Sequence, residues 1–313
     1  MIKIIKGVKS MNTKNIKRRA NELLIESKSS LTRILIIISA INLIPVVFSG
    51  SDGILGTLSF IVTILFLTVE HGYIVSSLKI VRNNASALKD EDAWVGFTRF
   101  SELFSTYVLM YIIRVGIMIM MILILLLLML GVYGSSVAVL GGLVGGNTTD
   151  FLLSGVSLSP ALIFFMFLIV LIAVVIAYVI DIYLFCVPYL LEQHQMKNVQ
   201  AIKESIRLMK KHGWDFFKLD ISFIGWILLQ IFVISMLSGL LQVIPIFGTV
   251  IAAFLGMLVG IYTYLPQYIV SKAIFFEEIA YQNYHFTQPQ DIFENDNQLI
   301  QSQNIVENDN QGE

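Results

Sequence analysis

The chain has 313 residues, of which 56% are hydrophobic and only 14% charged, and its mean hydropathy is +0.79. A soluble globular domain carries about 25% charged residues, and a surface this poor in charge would not stay dispersed in water. A single cysteine, Cys186, excludes a disulfide framework and a multi-cysteine metal centre; in its apolar stretch it reads as a small buried hydrophobe.

Residues 1–30 form a basic segment, charged throughout and without the apolar core and small-residue cleavage site of a signal peptide. Within it Met11 opens MNTKNIKRRANELL, which reads as a start of its own. Six apolar stretches follow, at 31–48, 54–80, 104–130, 161–191, 219–241 and 250–275. Each approaches or exceeds the roughly 20 helical residues that cross a hydrocarbon core. The first is the shortest and holds Asn42 and Pro45; the third contains VGIMIMMILILLLLML without one polar side chain. Lipid offers no partner for backbone N–H and C=O groups, so these stretches are predicted to be helices.

The 21 Lys and Arg residues fix the expected orientation. Nine precede or include Arg33, four (Lys79, Arg82, Lys89, Arg99) lie between spans two and three, six lie between spans four and five, and Lys272 ends the sixth span. Only Arg114 falls elsewhere, and the intervening loops hold none. That alternation is what the positive-inside rule demands for six spans of a cell (cytoplasmic) membrane with both termini in the cytosol.

The cytoplasmic connections are patterned too. Val199, Ile202, Ile206 and Met209 share one face of a predicted helix over 198–212, and Lys203, Arg207, Lys210 and Lys211 help to cover the rest. Such a basic amphipathic helix either lies in the headgroup plane, meeting anionic lipid, or packs on the protein's own helices. Trp94, Phe97, Phe100 and Phe104 make a comparable aromatic face, and 15–29 a looser one. Helix, outward span and inward span thus recur three times, with NLIPVVF (42–48) echoing QVIPIFG (242–248). Residues 131–160, rich in Gly, Ser and Thr, are expected to form an external loop that is flexible or folds back against the spans. The tail 286–313 holds six carboxylates and no Lys or Arg, repeats ENDNQ, and cannot bury enough apolar surface to fold. The fold class expected is therefore all-α: a polytopic transmembrane bundle over 31–280, flanked by a basic segment and an acidic cytoplasmic tail.

No catalytic motif, phosphate-cradling glycine loop or metal-ligand spacing is present, so neither enzyme activity, cofactor nor metal is expected. His71, His194, His212 and His285 all fall toward the cytoplasmic ends, with Glu192-Gln193-His194 as one local cluster. Nothing points to nucleic acid. More informative are Glu70, Arg114 and Asp181, ionisable groups placed inside spans about 13–18 Å from the cytoplasmic ends of their helices. Such charges mark either a structural ion pair or a transport or relay site; the length of their spans also allows an interfacial placement. Pro45, Pro188, Pro245 and Pro266 fall at or near span ends, where each can kink its helix and frame a cavity.

AIKESIRLMKKHGWDFFKLDISFIGWILL (201–229) and LPQYIVSKAIFFEEI (265–279) resemble a bacterial family of membrane proteins catalogued as domain of unknown function nine-seventy-five. Its elements correspond here to Ser205, Met209 and Lys210, to Phe217, Leu219, Ser222, Phe223 and Trp226, and to Pro266, Tyr268 and Phe275. Lys211-His212-Gly213 displaces the usual glycine, Gln267 interrupts Pro-Tyr, and Phe276 replaces a tyrosine. The resemblance implies a multi-pass membrane protein and no particular reaction. The residues favour an accessory or scaffold in envelope maintenance or an export or resistance system, acting through lipid or other membrane proteins; the alternative is a small transporter or ion pathway using the charges within the spans.

Overall fold

The computed structural model describes residues 12–48, 54–82, 88–144, 160–241 and 247–285, and among these every regular element is helical. The chain order is α1 (Thr13–Asn42), α2 (Ile44–Phe48), α3 (Ile54–Leu65), α4 (His71–Val81), α5 (Val95–Thr98), α6 (Phe100–Val144), α7 (Pro160–Leu184), α8 (Val187–His194), α9 (Asn198–Ile221), α10 (Ile224–Leu241), α11 (Phe247–Thr263) and α12 (Leu265–His285). Short 3-10 turns stand at Phe66–Thr68 and Asp90–Trp94. Five helical stretches among the described residues are long and apolar enough to cross a membrane. A sixth exists if the pair α11–α12, bent by 60°, is one span.

Helix α1 is one unbroken helix from Thr13, so the basic segment and the first apolar stretch are a single element. Asn12 caps it, its side chain accepting from the Lys14 N–H at 3.0 Å. The early turns are not free: Ile16, Ala20 and Leu24 enter the main core beside Phe223 and Phe275. Helix α6 also exceeds expectation. The predicted loop from 131 is helical as far as Val144, because Gly131, Gly134 and the serines interrupt a still apolar run that contains no proline to stop the backbone ladder. Residues 145–159, Pro245 and the tail from 286 lie outside the described residues.

The packed core sits at the end of the bundle that carries the basic residues. Helix α12 is its centre, lying against α1, α4, α9 and α11 and contributing the fully buried Phe275, Phe276 and Ile279. Away from that end α6, α7 and α10 become almost bare: Leu127 is 66% exposed, Phe167 64%, and α10 has no buried residue.

Helix α9 buries Ala201, Ile202, Ser205, Leu208, Met209, His212, Phe216 and Leu219 against the protein. The expected stripe is therefore divided. Ile202 and Met209 face the core, while Val199 and Ile206 stay outside with Lys203, Arg207, Lys210 and Lys211. The aromatic face 94–104 likewise is divided among three elements, with Trp94 in the Asp90–Trp94 turn, Phe97 in α5 and Phe100 and Phe104 in α6; Phe97 sets its edge on Phe66 at 5.6 Å, and Phe100 stacks on Phe104 at 4.6 Å.

Candidate functional site

Four of the span-length stretches are broken, and residues at or just beyond each break line one cavity. Helix α1 ends at Leu43 before Pro45, α3 gives way to the Phe66–Thr68 turn, α7 parts from α8 at Phe185 and Cys186, and α11 bends into α12 at Tyr264. Pro188 occupies the first turn of α8 and Pro266 that of α12, where a missing N–H costs least. Around these breaks lies a cavity of about 670 Å³. Interrupted backbone inside a bundle is tolerated where it lines such a cavity or finds local partners.

At the α7–α8 break the partner is Ser205. Its hydroxyl donates to the Tyr183 carbonyl at 2.6 Å and accepts the Cys186 N–H at 3.1 Å, so two freed backbone groups are satisfied by one side chain. Beside the α11–α12 bend Gln230 ties α10 to α11: its amide donates to the Gly256 carbonyl within α11 at 3.0 Å and accepts the Tyr264 hydroxyl at 2.6 Å.

The cavity wall carries Glu70, Arg114 and Lys272 among Asn42, Tyr73 and Tyr107. Arg114 and Asp181 meet at 2.7 Å, both half exposed. Glu70 joins Arg114 in the wall of the cavity without an ion pair to it. Among the described residues its carboxylate has no hydrogen bond or ion pair, and the cations that bear on it are Arg114 and Lys272. Among the described residues Lys272 forms no ion pair either; Asp220 and Glu70 are the carboxylates that bear most on it, and its ammonium stands 4.2 Å from the centre of the Tyr268 ring and 5.6 Å from that of Phe216. A cation over an aromatic face is held without being neutralised. One unpaired carboxylate and one unpaired ammonium thus share a cavity.

A second polar cluster continues from the cavity toward the basic end. The fully buried His71 places Nδ1 2.9 Å from the Tyr107 hydroxyl, itself in the cavity wall, and Nε2 3.0 Å from Glu192. Arg99 donates to Glu192 at 2.6 Å and to Glu102 at 3.0 Å. The hydrogen bond to Glu102, followed by that to Glu192, pushes the Arg99 guanidinium above its ordinary value against the cost of burial. A carboxylate only accepts, so Nε2 is the donor to Glu192, while the direction of the Nδ1–Tyr107 contact follows the state of the ring. Glu192 therefore pairs with His71 and Arg99, which the sequence separates from it.

The motif residues are chiefly architectural. Met209 and Phe223 are fully buried, Phe217 stacks on Trp214 at 5.0 Å, and Ser222 returns its hydroxyl to the Leu219 carbonyl at 2.6 Å while its own carbonyl accepts Lys17 at 3.2 Å. Tyr268 and Tyr178 both donate to Asp220 at 3.1 Å. Trp226 remains 47% exposed, and Pro266 is buried. Among the described residues no group of three His, Cys, Asp or Glu side chains could hold a metal ion. Arg207 pairs with Glu204 at 2.5 Å, and Lys203, Lys210 and Lys211 are exposed.

Fold and site together define an all-helical bundle with span-length helices and a cavity whose wall carries Glu70, Arg114 and Lys272. The chain belongs to the family described as protein of unknown function (DUF975), which it matches over residues 11–283. No curated protein and no solved structure matches it.

Proposed function

We propose that this protein spans the cytoplasmic membrane with its basic end in the cytosol and acts, without catalysis, as a small transporter that takes a polar group into the cavity around Glu70. The observation that carries this reading is the pair of charged groups, Glu70 and Lys272, which share the cavity and which no ion pair neutralises. A charge within a hydrocarbon layer is costly and marks a functional site unless a partner accounts for it. Arg114 and Asp181 account for one another; Glu70 and Lys272 do not. Broken spans around a polar centre support the same reading, since unwound segments are where carriers hold their cargo.

The accessory reading draws on other features: the exposed basic side chains of α9 and the bare outer halves of α6, α7 and α10. Complementation of a deletion strain, read together with abundance in the membrane, separates the two. Glu70→Gln and Lys272→Gln should keep abundance and lose function. Arg114→Gln and Asp181→Asn should each lower abundance, and the two together should restore it, because removing one member strands the other. If the Glu70 and Lys272 variants function normally while charge reversal at Lys203, Arg207, Lys210 and Lys211 abolishes function, the accessory role replaces the transporter.

A further inference from the structure

An apolar groove of about 410 Å³ runs between α6 and α7, lined by Ile117, Met121, Leu125, Ile169 and Val174 among others, with Arg114 and Asp181 at its polar end. Arg114 also lines the polar cavity, so the two spaces share a wall at that guanidinium. From Arg114 the groove follows α6 as far as Leu125, about 16 Å along the helix. Its walls belong to the bare parts of the bundle: Met118 is 61% exposed and Val174 59%.

The polar cavity offers a free carboxylate, a free ammonium and a guanidinium whose Nε is already engaged by Asp181. A purely anionic ligand would meet Glu70 as a like charge, and a purely cationic one would meet Lys272. A ligand carrying both signs satisfies both, and a ligand that also carries an apolar chain fills the adjoining groove. Membrane lipids with a primary ammonium and a phosphate have all three parts. We propose that cavity and groove together hold one zwitterionic aminophospholipid, its ammonium on Glu70, its phosphate at Lys272 and the Arg114 edge, and an acyl chain in the α6–α7 groove. This rests on the transporter reading of the cavity and names its cargo.

The test is thermal unfolding of the full chain, purified in detergent, titrated separately with dioctanoyl phosphatidylethanolamine, dioctanoyl phosphatidylglycerol and phosphoethanolamine. The ethanolamine lipid should bind about tenfold or more tightly than the glycerol lipid, the difference expected for one charge-assisted hydrogen bond. Glu70→Gln should erase that preference and Lys272→Gln should weaken both lipids; Met121→Trp, which fills the groove, should weaken the lipid and leave phosphoethanolamine unchanged. The comparison between lipids uses the unaltered chain, so a variant that fails to fold does not remove the test. Equal or tighter binding of the glycerol lipid would make this an anion site, phosphoethanolamine binding as tightly as the lipid would leave the groove unused, and no stabilisation by any of the three would leave the cavity without this cargo; each overturns the proposal. Thiol labelling of Thr63→Cys and Met257→Cys in the cavity separates the two levels: labelling without lipid binding removes only the lipid, whereas no labelling removes the transporter reading itself.

Discussion

Ser205 holds together the point where α7 and α8 part, and its energetic role follows from counting partners. Removing its hydroxyl leaves the Tyr183 carbonyl and the Cys186 N–H unsatisfied beside a wholly buried side chain. Ser205→Ala should cost about 1–3 kcal/mol, read as a lowered midpoint of thermal unfolding in detergent. The residue was legible as part of a motif, but its task was not, because its partners lie at the end of α7 and in the break after it, about twenty positions away. His212 makes a pH-dependent contribution. It is 2% exposed, its Nδ1 has no partner, and burial pushes its imidazole below the ordinary value, with Asp215 opposing and Lys211 adding slightly. The unfolded chain therefore binds the extra proton more readily. This part of the stability is fully present above about pH 6.5, where the unfolded imidazole is neutral, and declines as pH falls below it. His212→Leu should flatten the fall of the unfolding midpoint between about pH 6.5 and 5; an unchanged slope would show that other groups set it.

The elements meet more closely than side chains alone would allow at two glycines. A Cβ on Gly96 would collide with the backbone of the Phe66–Thr68 turn, coming within 2.7 Å of the Thr68 carbonyl carbon and the Val69 Cα. Backbone cannot swing aside, so Gly96→Ala should destabilise by about 1–3 kcal/mol and detach α5 from that turn. Gly256 and Gly260 present a small-residue face of α11 to Ile234 and Gln230 on α10. Gly256→Leu should separate these two helices, which cross-linking of cysteines placed on their outer turns would register as a lost product. This spacing is readable in LGMLVG, whereas the closeness at Gly96 is not, since its partner is a turn thirty residues earlier. Prolines gave the breaks at 188 and 266 in advance. The break at Phe66–Thr68 has no proline and was not foreseeable from composition. The third span's extension to Val144 shows the converse, that glycine and serine in an apolar run do not end a helix.

At the scale of the molecule, hydropathy and the distribution of Lys and Arg were enough for a helical bundle with about six span-length stretches, because only apolar length and charge placement enter that argument. The site needed more. Glu70, Arg114 and Asp181 stood out as charges in apolar surroundings, and two of them do pair, but Lys272 was read as a terminal cation. The apolar residues on both sides of it, IVS before and AIFF after, were the available signal. The unequal packing has a physical reading as well: the buried clusters leave the outer parts of α6, α7 and α10 bare and apolar, as helices long and apolar enough to cross a membrane would be, while the cavity lies beside the broken spans.

The central claim is that this cavity admits water and polar solutes inside the membrane. It is tested most directly by single cysteines at Thr63, Met257, Leu126 and Phe232, treated in native membranes with a small charged, membrane-impermeant methanethiosulfonate. Cys186 is fully buried and should stay silent. A thiol needs water to form the reactive thiolate, so cavity positions 63 and 257 should label while the lipid-facing positions 126 and 232 do not. Labelling at none of the four, or at all of them equally, would contradict a polar cavity and leave Glu70 and Lys272 as charges without a site.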